Sequence, residues 1–353
     1  MREPDASINI AAGACWTGAG GRFDSNSPAL RRRALVLGAG LAGWPAVHAQ
    51  RARGFDGLSA RIAVQAPDVQ SVAVVQRGAL AFEFHRPGVA ADSLRDVQSV
   101  TKSVLSLLFG CALADGHLRG VDELVAMRLP ELPRLGGDAR LKRLRFAHLL
   151  TMTAGWTADI TARRDRDDDL GWLARRPFVA EPGVRFAYDN GAANVLALAL
   201  ARAVGRPLDD YARQRLLEPL GIARFDWRRG AQGHAIGAFG LMLSLRDMAR
   251  VGELVLAGGL WRGRELVPAA YLRQAATRRN AGGWPMFTPY GYLWWLSPEA
   301  VMASGYGGQW IYVDARRDAV IAATSRRTPD SAARNQALAL IRRDILPALP
   351  RTK

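Results

Sequence analysis

Polar and apolar positions first fall into a regular alternation between residues 71 and 85. Segments 71–76 and 80–85 flank Arg77-Gly78-Ala79, which predicts a β-hairpin. A run at 104–114 follows that is apolar on nearly every side. It closes with Asp115-Gly116, and a glycine just past the last apolar turn is a helix stop. A helix without a polar face belongs at the centre of a protein. Helical spacing recurs at 144–152, 194–204, 208–216 and 245–256. After Gly282-Gly283-Trp284-Pro285 the β signal returns at 292–296, 301–304, 310–313 and 319–324, and a helix is expected over 331–346. No internal repeat is visible. The order of elements predicts a sheet-bearing lobe from 51–120 and 285–353, with a mostly helical lobe, 121–284, inserted between.

The first fifty residues stand apart. Residues 1–28 are polar, rich in Gly, Ala and Ser, and without period, so a disordered tail is expected. Arg31-Arg32-Arg33, a short apolar segment and the ending Val47-His48-Ala49 have the layout of a secretory signal. The apolar part is too short for a membrane span. Export to the periplasm or beyond is therefore expected, with a mature chain starting near Gln50; N-terminal sequencing of the mature protein tests this. The same segment holds Gly38-Ala39-Gly40-Leu41-Ala42-Gly43, a match to the dinucleotide fingerprint. That fingerprint needs a helix opening at the loop and an acid closing a second strand ~20 residues on. Pro45 and the loop-like 54–57 deny it that context, so no cofactor is expected.

Composition adds three exclusions. With 49% hydrophobic and 23% charged residues the 353-residue chain is a folded globular protein. Its net charge of +16 comes from arginines scattered along the whole length. A scattered charge without a nucleic-acid-binding motif describes a solvated surface, not a nucleic-acid partner. Cys15 and Cys111 make no disulfide framework, and the histidines show no metal-ligand spacing. Nothing in the sequence indicates an oligomeric state.

The candidate chemistry sits where the apolar helix begins. In Gln98-Ser99-Val100-Thr101-Lys102, Ser99 and Lys102 are three residues apart and share a helix face. A serine hydroxyl is a poor nucleophile until a base takes its proton, and a buried lysine can be that base. The lysines of this chain are Lys102, Lys142 and Lys353; nearly all other positive charge is arginine. Arginine cannot become neutral, so a lysine here points to proton transfer rather than to charge alone. Two further stretches carry suitable groups. The turn Pro182-Gly183 leads to Tyr188, a candidate acid/base, and to Asn190, whose amide can accept from an ammonium. Ser304-Gly305-Tyr306-Gly307-Gly308-Gln309 enters a strand, with glycines that let backbone approach a ligand closely.

At these residues the chain resembles the β-lactamase-related serine hydrolases, the group of class C β-lactamases, D-alanyl-D-alanine peptidases, family VIII esterases and 6-aminohexanoate-dimer hydrolases. The likeness runs from about residue 60 to about 345. It includes His148-Leu149-Leu150-Thr151-Met152-Thr153-Ala154-Gly155 and the stretch 237–250. The resemblance implies an α+β, β-lactamase/transpeptidase-like fold: an antiparallel sheet flanked by helices, plus the helical insertion. It implies Ser99 as nucleophile, Lys102 and Tyr188 as acid/base groups, and Asn190 as an orienting residue. Tyr306, Gly307 and Gly308 stand where the family commonly has Lys-Thr-Gly, and the backbone N–H groups of Ser99 and Gln309 would form the oxyanion hole. The implied partner is a small ester or amide. Tyr306 supplies no charge for a substrate carboxylate, which favours aryl esters and small linear amides over cephalosporins. Trp284, Trp294, Trp295 and Trp310 suggest an aromatic pocket. The alternatives are a true β-lactamase or D-alanyl-D-alanine peptidase, and a non-catalytic cell-wall binding protein on the same fold.

Overall fold

The structure, a computed structural model, describes residues 53–161, 166–327 and 332–351. The expected tail, the arginine cluster with its signal-like segment, and the 38–43 glycine stretch lie outside the described residues. So do Asp165 and Ser331.

After a short helix α1 (Leu58–Gln65), β1 (Val69–Gln76) and β2 (Ala79–His85) form the expected hairpin. Arg77 and Gly78 have φ of 54° and 74°, the two positive values that match hairpin twist. The chain passes through β3 (Arg95–Asp96) into α2 (Val100–Ala114). Every α2 residue from Val100 to Ala112 is buried, as its missing polar face requires. Gly116, with φ of 75°, ends it: its N–H donates to the Leu113 carbonyl and that of His117 to the Ala112 carbonyl.

Helices then dominate: α3 (Leu132–Gly136), α4 (Phe146–Leu150), α5 (Leu170–Ala174), α6 (Asn190–Val204) and α7 (Leu208–Ala212). Next, β4 (Asp226–Trp227) and β5 (Leu241–Leu243) join β3 in a small sheet of order β3-β5-β4. Helix α8 (Leu245–Leu256), the ribbon β6 (Leu260–Trp261) with β7 (Arg264–Glu265), and α9 (Ala269–Ala275) follow. The last strands are β8 (Trp295–Leu296), β9 (Val301–Gly305), β10 (Gln309–Asp314) and β11 (Ala319–Ser325), before α10 (Ala332–Leu340).

The large sheet has the order β2-β1-β11-β10-β9-β8, with antiparallel pairs throughout. Val72 faces Ala323 across the β1–β11 pair, so the two ends of the chain share one sheet. The fold is α+β. Helix α8, inside the stretch expected as the insertion, lies on the sheet: a Cβ on its Gly252 would sit 2.4 Å from Val320 Cγ1. Helix α2 packs against α6 and α9 and against β9 and β10 of the sheet.

Four expected elements come out shorter, among them the 331–346 helix, whose α-geometry ends at Leu340 before a π-turn, Ile341–Ile345. The 144–152 helix spans Phe146–Leu150, because Met152 takes φ of 55°. The 292–296 strand is reduced to Trp295–Leu296, because Leu293 takes φ of 62°. The 208–216 helix leaves α-geometry after Ala212 and continues as a π-turn, Arg213–Leu217. Among the described residues no helix is long and apolar enough to cross a membrane.

Candidate active site

Ser99 occupies the N-cap position of α2, its hydroxyl making no capping bond to the helix. The residue before it, Gln98, has φ of 53°, a conformation uncommon outside glycine. Asp96 Oδ1 braces this turn by accepting from Gln98 N at 2.9 Å and Gly240 N at 3.3 Å. One turn along α2, Lys102 is 1% exposed. Its Nζ lies 3.1 Å from Ser99 Oγ, 2.8 Å from Asn190 Oδ1 and 2.7 Å from the Ala238 carbonyl. Three acceptors match the three donors of an ammonium. Burial pushes the Lys102 pKa down to about 7, while the Asp189 and Asp167 carboxylates pull it up. Near neutral pH the amine is therefore neutral in a substantial fraction of molecules, with a lone pair able to take the Ser99 proton.

The partners of Lys102 are themselves held. Asn190 Nδ2 donates to the Ile160 carbonyl at 2.8 Å, which turns Oδ1 towards the lysine. Asp189 caps α6 by accepting from Gly191 N and Ala192 N at 3.2 and 2.9 Å. Its two oxygens also take a bidentate Arg176 fork at 2.8 and 2.7 Å, and both side chains are buried. Asn194 Oδ1 accepts from Ala238 N at 3.0 Å, which fixes the carbonyl that Lys102 meets.

Arg176, Asp189, Asn194 and Ala238 were not anticipated from the sequence. Asp189 had a readable signal, an aspartate immediately before an apolar run, and that cap is why α6 starts at Asn190 rather than near 194. Arg176 lies far along the chain from Lys102 and had none. A backbone carbonyl such as that of Ala238 has no side-chain identity to read.

Tyr188 enters from the turn before α6. Its ring centroid is 5.0 Å from Lys102 Nζ, and it stacks on Trp295 at 5.5 Å with 27° between planes. Trp295 in turn meets Phe186 and Tyr290 edge-on. Trp294 and Trp310, expected in an aromatic pocket, are instead fully enclosed core residues, while Trp284 is half exposed. Trp295 and Tyr290 are buried as well and back Tyr188 from within, so of the rings packed there only Phe186 is partly exposed, and the aromatic surface by the site is narrower than expected.

The third stretch reaches the same place. A Cβ on Gly305 would lie 2.3 Å from the Val97 carbonyl and 3.1 Å from Gln98 Cβ. Only glycine permits this approach of β9 to the Ser99 turn. Tyr306, Gly307 and Gly308 then form the β9–β10 turn, with Tyr306 half exposed and φ of 78° and 91° at the two glycines. The Gln309 side chain is buried and bridges to β11: Nε2 donates to the Ser325 carbonyl at 2.9 Å and Oε1 accepts from Ser325 N at 3.2 Å. It therefore faces the sheet, which leaves only its backbone for a ligand. Arg327 borders the turn, its Cα 3.1 Å from a Cβ placed on Gly307. Its Nη1 is 3.7 Å from Asp96 Oδ2.

An antiparallel sheet against a buried helix that opens with a serine and a lysine defines a serine hydrolase of the transpeptidase-like kind. The sequence model of the β-lactamase family matches residues 55–343, and the chain belongs to that family. It is 26% identical over 274 residues, 68% of each chain, to the 6-aminohexanoate-dimer hydrolase of Paenarthrobacter ureafaciens. Among solved structures it resembles a penicillin-binding protein homologue from Caulobacter crescentus, with a TM-score of 0.65 at 18% identity over 82% of this chain and 96% of that one. It also resembles EstCE1, a hydrolase with promiscuous acyltransferase activity, with a TM-score of 0.64 at 16% identity over 81% and 98%. These likenesses carry the β-lactamase/transpeptidase-like fold.

Proposed function

We propose that this enzyme cleaves small esters or amides through an acyl-enzyme on Ser99. The observation that carries the reading is the buried Lys102 Nζ at 3.1 Å from Ser99 Oγ. Neutral Lys102 takes the hydroxyl proton as Ser99 Oγ bonds to the substrate carbonyl carbon. Tyr188, beside Lys102, passes a proton to the departing alcohol or amine. Water then releases the acyl group by the same route in reverse. Asn190 keeps Lys102 aimed at Ser99. The backbone N–H groups of Ser99 and Gln309 receive the oxyanion, each such donor contributing ~3 kcal/mol in related chemistry.

The relative's name, 6-aminohexanoate-dimer hydrolase, supports a linear amide as one substrate class. Tyr306 in place of a lysine, together with the apolar Trp295 and Phe186, supports uncharged acyl or leaving groups. We expect kcat/KM for phenyl acetate or butyrate to exceed that for a chromogenic cephalosporin by roughly ten- to a hundredfold, the worth of one charge-assisted hydrogen bond. A second reading, a β-lactamase or D-alanyl-D-alanine peptidase, rests on Arg327 as a cation beside Gly307. A cephalosporin preference would move the conclusion to it. Failure of a fluorophosphonate to label Ser99 would favour a non-catalytic binding protein.

A further inference from the structure

A second basic site lies outside the Ser99 constellation. A cavity of about 390 Å³ is lined by Lys142, Arg143, Arg145, His148, Glu181, Leu124 and Pro182. None of the groups placed around Ser99 contributes to it. The Lys142 side chain is exposed and, among the described residues, makes no hydrogen bond or ion pair. Arg143 pairs with Glu181 at 2.7 Å, but both side chains are more than half exposed, and such pairs are weak. Arg145 donates to the Asp122 carbonyl through one guanidinium nitrogen, which leaves other donors for a ligand. His148 Nδ1 accepts from Arg145 N at 3.2 Å, so a neutral His148 carries its proton on Nε2. Three fixed positive charges thus line one concavity with the Glu181 carboxylate, while the Asp122 carboxylate also acts on His148.

We propose that this cavity binds a small phosphate monoester. Guanidinium forks take two phosphate oxygens each, and Lys142 adds a point charge. The volume falls within the range of small-ligand pockets and leaves room beyond the phosphate group, over Leu124 and Pro182. The bound phosphate displaces Glu181 from Arg143. Glu181 opens the strap that leads to Tyr188, and the strap hangs from the end of α4: Gly183 N donates to the Thr153 carbonyl at 2.7 Å and Ala187 N to the Met152 carbonyl at 2.8 Å.

The test is calorimetric titration of the protein with inorganic phosphate and with glycerol 3-phosphate, at an ionic strength held constant with chloride. Both are expected to bind, the ester more tightly. Lys142→Glu is expected to weaken binding about tenfold or more. Arg278→Glu changes net charge equally at an exposed arginine outside the cavity, and is expected to leave binding unchanged. In wild type, phosphate also raises the His148 pKa followed by proton NMR, because a nearby anion favours imidazolium. Absence of binding, or an equal loss in the two variants, would overturn the proposal. The readout is binding, so it stands or falls separately from the Ser99 chemistry.

Discussion

Ser99→Ala is expected to lower kcat by roughly 10⁴- to 10⁶-fold, as removal of an activated serine does elsewhere, with the fold intact. Ser99 sits at the rim of α2, and its hydroxyl meets only Lys102 among the hydrogen bonds of the site. Losing it leaves one donor of the Lys102 ammonium without its acceptor, a loss the neutral amine does not suffer, since its two N–H groups still meet Asn190 and Ala238. The companion variant Lys102→Arg is expected to be nearly as inactive as Lys102→Ala. Arginine keeps the charge and can still reach Asn190 or Ala238, yet it cannot become neutral. Wild-type turnover should rise with pH through about 7, the value to which burial brings Lys102, since the base is the deprotonated form. Steady-state kinetics on an aryl ester, with circular dichroism as a fold check, measures all of this. A Lys102→Arg enzyme with near-normal turnover would sink the assignment of Lys102 as the base.

The second large effect falls on stability. Arg176→Met should lower stability by about 3–5 kcal/mol, because it leaves Asp189 buried without its cation. Thermal unfolding would then shift down by roughly 4–7 °C. The two N–H groups of α6 still face Asp189, which keeps the loss from being larger. Asp189→Asn reports on the chemistry instead. The Asp189 carboxylate is the leading charge holding the Lys102 pKa up, so removing it moves the rising limb of the pH–rate profile below 7. An unchanged melting temperature for Arg176→Met would show that the pair is dispensable.

The juxtaposition of Ser99 and Lys102 was legible because it is local. Four residues at helical spacing, at the head of a run with no polar face, place Ser99 and Lys102 together before any tertiary contact is known. The hairpin at 77–78 and the stop at Gly116 were legible for the same reason. What fixes Lys102 in place is not local. Arg176 reaches Asp189 and Asn194 reaches Ala238 only because α5, α6 and the β4–β5 segment pack together, and no periodicity encodes that. Alternation of apolar residues also carries no information on φ. Leu293 is therefore indistinguishable in sequence from a strand residue, although its left-handed backbone ends the strand pattern there. Trp294, Trp295 and Trp310 were expected to line a pocket because sequence carries no measure of burial, and of the four tryptophans only Trp284 is substantially exposed.

Burying Lys102 also makes folding release a proton. In the unfolded chain its ammonium keeps an ordinary pKa near 10.5; in the folded one it is about 7. Below pH 7 both states hold the proton, and the full cost of an enclosed charge falls on the native state. From pH 7 upwards the unfolded state binds more protons, so the Lys102 contribution to stability improves with pH, by up to ~1.4 kcal/mol per unit. Cys111 acts in the opposite sense above about 9, because burial raises its thiol from 9.0 to about 12 and the unfolded state ionises first. Urea unfolding at pH 6, 7, 8 and 9 should show this rise in wild type and a flatter profile in Lys102→Met. Parallel profiles would mean that the lysine is charged when folded throughout that range. Lys102 thus contributes least to stability on the acidic side of neutrality, where the amine proposed as the base is also protonated.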